Sequence, residues 1–264
     1  GAPMSQNSSR REAMRAQQQA EEATARRRKI VGIVSGILVI AIIAAVVIWA
    51  VNRDKGSEEA TGPQVKPPSA TGSAHAYVVN KGKAKKGAPV LKVYEDFQCP
   101  VCKQVEDIFG KKFEALAASG DIELQWQTLT FLDDNMPGES SQRSAVATAC
   151  ADTVGKIAPY HDVVFAHQPE EGTGYTDDQL RGAFAKDAGI TGADLTKFQK
   201  CYDTKATKDF ATNAAEEGLK EGMKLEKKFG TPFMTVDGKP WNDWTNLAEA
   251  NQNQLLDAIK KAAK

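Results

Sequence analysis

Two cysteines three positions apart, Cys99 and Cys102, lie in the run Asp96-Phe97-Gln98-Cys99-Pro100-Val101-Cys102-Lys103. Short apolar runs at 76–80 and 89–97 read as strands, and from residue 99 the apolar period becomes helical. The pair therefore falls at a strand-to-helix junction. The first turn of a helix presents unpaired N–H groups and the positive end of the helix dipole, both of which favour an anion. A thiol placed there loses its proton more easily, and its thiolate is the nucleophile. Pro100 suits the first turn, where its missing N–H is not needed. Cys102, one turn further in, can attack a mixed disulfide formed at an exposed Cys99. This is the chemistry of dithiol–disulfide exchange, and it calls for no metal and no organic cofactor.

Other uses of the cysteines fit less well. A structural zinc site draws four ligands at close spacing. Here Cys150 follows Cys102 by 48 residues and Cys201 follows Cys150 by 51. The three histidines, His75, His161 and His167, complete no ligand pattern, and His161 and His167, at helical positions, read as packing or surface residues. No histidine follows Cys102, which excludes haem attachment of the C-x-x-C-H kind. A purely structural Cys99–Cys102 bridge stays open as an alternative. Cys150 and Cys201 read as a structural disulfide in preference to a second redox relay. Closing their loop is worth about 4 kcal/mol in the chain-entropy model.

The chain that positions these cysteines has 264 residues, with 34 basic and 34 acidic side chains, 41% apolar and 26% charged residues. That balance excludes whole-chain disorder and gives no case for nucleic-acid binding. The zero net charge conceals an asymmetry: residues 1–29 hold seven basic groups against three acidic ones. Residues 30–51, IVGIVSGILVIAIIAAVVIWAV, hold no charge. As a helix they would span about 33 Å, close to the hydrocarbon thickness of a bilayer. Arg26, Arg27, Arg28 and Lys29 abut this run, so the positive-inside rule places the N-terminus in the cytoplasm. The expectation is a single-pass cell-membrane protein with everything after residue 52 extracytoplasmic, a setting in which disulfides persist. Residues 52–75 are rich in Gly, Pro, Ser and Thr and read as a flexible linker.

Beyond the linker, Val101, Val105, Ile108, Phe109, Phe113 and Leu116 form one face of an amphipathic helix ending near Gly120. Ile122, Leu124 and Trp126 then alternate with polar residues, which completes a parallel βαβ unit. Residues 139–228 are Ala-rich and read as four or five helices. Thr176 to Gln179 fits a capping box, and Pro159 fits a first turn. A short strand, Phe233-Met234-Thr235-Val236, a turn at Asp237-Gly238 and a last helix from about Asn246 to Ala263 follow. The fold class is α/β, with residues 76–138 and 229–264 forming one core around a helical insertion at 139–228. Trp241 and Trp244 read as rim or core aromatics, in preference to the lining of a substrate groove near the motif. Lys81, Lys83, Lys85 and Lys86 read as a solvated loop.

With these residues in place, the chain from about 76 to 264 resembles the DsbA-like thiol-disulfide oxidoreductases of the thioredoxin superfamily. The resemblance rests on the run around Cys99-Pro100-Val101-Cys102, the helical insertion, and Gly230-Thr231-Pro232 opening a late strand. It implies a thioredoxin fold with an inserted helical domain, here preceded by a transmembrane helix. It implies a cis peptide at Thr231–Pro232, with Thr231 offering backbone hydrogen bonds to an extended substrate. It also implies reduced secreted proteins as substrates and a quinone-linked membrane reoxidase as partner. The anchor and the paired insertion cysteines are similar to the membrane-bound oxidative-folding enzymes of actinobacteria. A reductase or isomerase, or a tethered binding module with a structural Cys99–Cys102 bridge, is the alternative. Two departures bear on the site. Val101 stands where strongly oxidising relatives have histidine and offers the thiolate no cation, so the pair is expected to be less oxidising. Val93 stands where many relatives have a proton-transferring acid. Glu95 and Asp96 are out of register and read as a partly exposed strand end.

Overall fold

A computed structural model describes residue 24, residues 26–32, residue 34, residues 59–72 and residues 75–264. The basic tail and the apolar run at 30–51 lie largely outside the described residues. The described part near the N-terminus is an exposed helical stretch. Among the described residues no helix is long and apolar enough to cross a membrane.

The globular part is built on a five-stranded mixed sheet of β1 (Tyr77–Val79), β2 (Val90–Glu95), β3 (Glu123–Thr128), β4 (Phe233–Val236) and β5 (Lys239–Pro240), in the order β1-β3-β2-β4-β5. The central strand β2 runs parallel to β3, from Val90 opposite Glu123 to Glu95 opposite Thr128. It runs antiparallel to β4, with Val93 opposite Met234. β2 is buried along nearly its whole length, as befits a strand covered on both faces. Its crossover to β3 contains α1 (Pro100–Val105) and α2 (Lys111–Ala118), joined through a π-helical turn at Glu106–Gly110. The β4–β5 hairpin turns at Asp237 and Gly238, both with positive φ (48° and 78°), the backbone that an Asp-Gly pair tolerates best.

Leu91, Val93, Phe109, Phe113, Leu116, Trp126, Leu255 and Ile259 belong to one continuous apolar core, which also takes in Trp241 and Trp244. The side of β2 that bears Tyr94 meets a smaller cluster of Leu129, Phe229 and Phe233. Between β3 and β4 come α3 (Ser140–Asp152), α4 (Ile157–Ala166), a π-helical turn at Gln179–Ala183 leading into α5 (Phe184–Asp187), α6 (Gly192–Asp203) and α7 (Lys208–Leu225). Thr176 and Gln179 make both hydrogen bonds of the capping box. The last helix, α8 (Gln252–Ala262), is capped in the same way by Asn251 and Gln254.

Three expectations change. The last helix starts six residues later than its apolar pattern suggested, because Asn251 caps it and 243–246 form a separate 3-10 turn. Ile108 is 40% exposed although it falls on the apolar face by period. A π turn holds an extra residue, so positions within it rotate off the 3.6-residue stripe. Part of the stretch read as linker is bonded to the body. Thr61 and Val65 donate to the carbonyls of Thr204 and Ala206, and Ser69 donates through N–H and hydroxyl to the Asp152 carboxylate.

Candidate active site

Cys99 is the N-cap of α1. Its extended backbone (φ −76°, ψ 116°) leaves the strand, and Pro100 opens the helix. The Cys102 backbone N–H donates to the Cys99 sulfur at 3.3 Å, the helix-terminus contact that favours a thiolate. On the other side the Cys99 Sγ lies 3.5 Å from the Thr231 carbonyl oxygen, and the Thr231–Pro232 peptide is cis. The sheet explains this meeting. Antiparallel pairing of β2 and β4 brings the start of β4, and the Gly230-Thr231-Pro232 segment before it, to the end of β2 that leads into the motif.

Both thiols are free, and the two residues keep only 5% and 3% of their surface. Cys99 is thus less open than expected. The buried Thr231 touches it from one side and the insertion closes on its backbone from another. The two thiols are electrostatically unequal. Burial raises the Cys99 thiol, but hydrogen bonds from the thiol and backbone N–H of Cys102 and from the Thr231 side chain outweigh it, so the Cys99 pKa is lowered. Burial and the adjoining Cys99 hold the Cys102 thiol well above its ordinary value. One sulfur is prepared as a nucleophile and leaving group; the other holds its proton. Val101 is buried beside them and supplies no polar group.

The insertion fixes the motif through its backbone. Gln168 donates to the carbonyls of Phe97 and Cys99 at 2.9 and 3.0 Å. The Tyr175 hydroxyl donates to the Phe97 carbonyl at 2.9 Å. Asp96 is fully buried and accepts from Ser141 Oγ, the Gln98 N–H and the Leu132 N–H. Burial prevails over these bonds and pushes its carboxyl up to about 7. Glu95 is also buried and lies 2.7 Å from His161 Nε2. Neither carboxylate is the half-exposed strand end expected from sequence, because α3 and α4 cover the end of β2. Gln168, Tyr175, Ser141 and the inward position of His161 escaped the sequence reading. They lie at least 39 residues beyond Cys102, and no local period announces such contacts.

Cys150 and Cys201 form a disulfide between α3 and α6, with Cα atoms 5.7 Å apart. It lies within the insertion, separate from the free pair. Trp241 and Trp244 are core side chains, 3% and 9% exposed. His75 pairs with Glu217, and His167 is half exposed near Asp187.

The solved structures that resemble this chain include the MdbA protein, a thiol-disulfide oxidoreductase from Actinomyces oris. It matches with a TM-score of 0.59 and 19% identity, over 78% of this chain and 97% of that one. The MdbA protein of Corynebacterium diphtheriae matches with a TM-score of 0.56 and 22% identity, over 75% and 97%. Reduced DsbA from Mycobacterium tuberculosis matches with 0.52 and 22%, over 72% and 98%. At these identities the likeness speaks for the fold. No curated protein matches the sequence. The family model described as thioredoxin matches residues 82–258, which takes in strands β2 to β5, the cysteine motif, the cis proline and the whole insertion. The chain belongs to the thioredoxin family.

Proposed function

We propose that the chain is a protein disulfide oxidoreductase that introduces disulfides into secreted proteins from the outer side of a membrane, to which residues 30–51 tether it. The observation that carries this reading is the place of Cys99 at the N-terminus of α1, where the Cys102 N–H donates to its sulfur at 3.3 Å; this favours the Cys99 thiolate, while burial and the adjoining Cys99 raise the Cys102 thiol. In the oxidised enzyme a substrate thiolate attacks the Cys99 sulfur. The Cys99–Cys102 bond breaks, Cys102 leaves and takes a proton, and a mixed disulfide forms. A second substrate thiolate then attacks the substrate sulfur of that bond, and Cys99 leaves as the stabilised thiolate. The substrate loses two electrons and the enzyme pair gains them. A quinone-linked membrane reoxidase would take them onward. The names of the solved relatives, thiol-disulfide oxidoreductases and DsbA, agree with this chemistry. The charge asymmetry about residues 30–51 supports the extracytoplasmic side.

The test is the reduction potential of the 99–102 pair in glutathione buffers, quenched by alkylation and read cysteine by cysteine. A disulfide donor should fall at roughly −120 to −180 mV, and a value near roughly −270 mV would mark a reductase instead. In parallel, Cys102→Ala should attack a disulfide-bonded substrate protein through Cys99, releasing one substrate thiolate and holding the other in a trapped mixed disulfide, and Cys99→Ser should trap none. Trapping by neither variant would refute the catalytic reading.

A further inference from the structure

Beside the small cavity that touches Cys102, four carboxylates and one imidazole crowd into a space largely closed to water. His161, on α4, is 1% exposed, and its ring stacks flat on Trp126 with centroids 3.7 Å apart. Its Nε2 faces Glu95 Oε1 at 2.7 Å. That contact orients the ring and turns Nδ1 toward Asp162 and Glu106. Nδ1 has no hydrogen-bond partner: Asp162 Oδ1 is 3.7 Å away and Glu106 Oε1 is 4.0 Å away.

The carboxylates show the same incompleteness. Lys111 contacts Asp162 through Oδ2 and lies 3.5 Å from Glu114 Oε2. That leaves Asp162 Oδ1 and Glu114 Oε1 buried and unpartnered. Of the five buried side-chain polar atoms without a partner among the described residues, three therefore belong to this one cluster. The backbone admits it. Glu106 lies on the π turn, and a side chain at Gly110 would collide with the Glu106 carboxylate. Glu95, Glu106, Glu114 and Asp162 face one lysine and one imidazole. Buried polar atoms left without partners call for an occupant that supplies one.

We propose that Glu106, His161 through Nδ1, and Asp162 bind a divalent transition-metal cation, with Glu114 adjoining them and Glu95 orienting the imidazole. The three ligand atoms lie within 4.8 Å of one another. One imidazole nitrogen with carboxylate oxygens is a donor set that suits Zn²⁺ and its first-row neighbours. A carboxylate on the remaining ring N–H is the usual support of a metal-bound histidine. Glu106 also lines the small cavity that touches Cys102 and Pro232. The site is thus wedged against the redox pair without using either of its sulfurs.

The experiment uses the full-length chain in detergent with both cysteine pairs oxidised, so that no thiolate competes for metal. Zn²⁺ is titrated by calorimetry and Co²⁺ by visible absorbance. One equivalent should bind, with Co²⁺ giving the ligand-field bands of a nitrogen- and oxygen-bound ion. Glu106→Gln and Asp162→Asn should each weaken binding about tenfold or more. Lys111→Ala, at an exposed position, should tighten it by freeing Asp162. Circular dichroism of each variant separates lost binding from lost fold. If the oxidised protein takes up no Zn²⁺ in the micromolar range, or if uptake is indifferent to all three substitutions, protons alone balance the cluster and the proposal falls. Neither result touches the thiol-exchange reading, which rests on Cys99 and Cys102.

Discussion

At the scale of single residues, Asp96 is the group whose charge reaches the nucleophile. It has no exposed surface, its carboxyl is raised from the ordinary 3.8 to about 7, and its charge raises the Cys99 thiol. Its folded pKa lies above the unfolded one. Protonated Asp96 therefore contributes stability that is complete below pH 3.8 and lost as pH rises through about 7. Asp96→Asn removes that titration. The stability of the variant relative to the wild type should climb between those two pH values and level off above them, as read by denaturant unfolding at a series of pH values. The same substitution should lower the Cys99 pKa, seen as thiolate absorbance appearing at lower pH in the reduced protein. An unchanged thiol titration would show that Asp96 does not act on the nucleophile. Cys99 itself was legible from sequence because its chemistry is local: a cap position, a proline after it, a second sulfur one turn on. Asp96 and Glu95 were not. Their burial is imposed by Leu132, Ser141 and His161, residues that reach them only through the fold.

At the scale of elements, the helical insertion holds the motif from behind. The Phe97 carbonyl takes two donors from it, Tyr175 Oη at 2.9 Å and Gln168 Nε2 at 2.9 Å. Removing either donor leaves the other, so Tyr175→Phe should cost only about 1 kcal/mol. Removing both leaves a buried carbonyl bare, and the penalty for an unsatisfied buried group, about 1–3 kcal/mol, is then added in full. A double-mutant cycle of Tyr175→Phe and Gln168→Ala, measured by chemical denaturation, should give a combined loss larger than the sum of the two single losses. Simple additivity would mean that water replaces the missing donors and that the clamp is not sealed. Sequence periodicity found the elements of this clamp, including the capping box at Thr176 and Gln179 and the strand at 233–236. It could not find the docking, because the contacts join positions about 70 residues apart. It also assumed one uniform helix after Cys99, whereas the π turn at Glu106–Gly110 breaks the period and turns Ile108 outward.

At the scale of the whole molecule, the two cysteine pairs should act on stability with opposite signs. The Cys150–Cys201 bridge joins α3 to α6 across a separation of 51 residues and is sunk in the insertion. Restricting the unfolded chain over that distance is worth about 4 kcal/mol in the chain-entropy model, so Cys150→Ala/Cys201→Ala should lower the unfolding free energy by up to that amount. The Cys99–Cys102 bridge closes a far shorter loop, and against it stands the stabilisation of the reduced form by the helix-terminus contact at Cys99. A pair that donates disulfides does so because the folded protein prefers it reduced. A pair poised as a disulfide donor has the higher potential, so mild reductant opens the motif before the structural insertion bridge. It should therefore raise the melting temperature while alkylation shows Cys150 and Cys201 still joined. Stronger reduction that opens the insertion bridge should then lower the melting temperature below its starting value. A fall at the first step would mean that the fold prefers the Cys99–Cys102 bridge intact, and the direction of electron flow proposed here would have to be reversed.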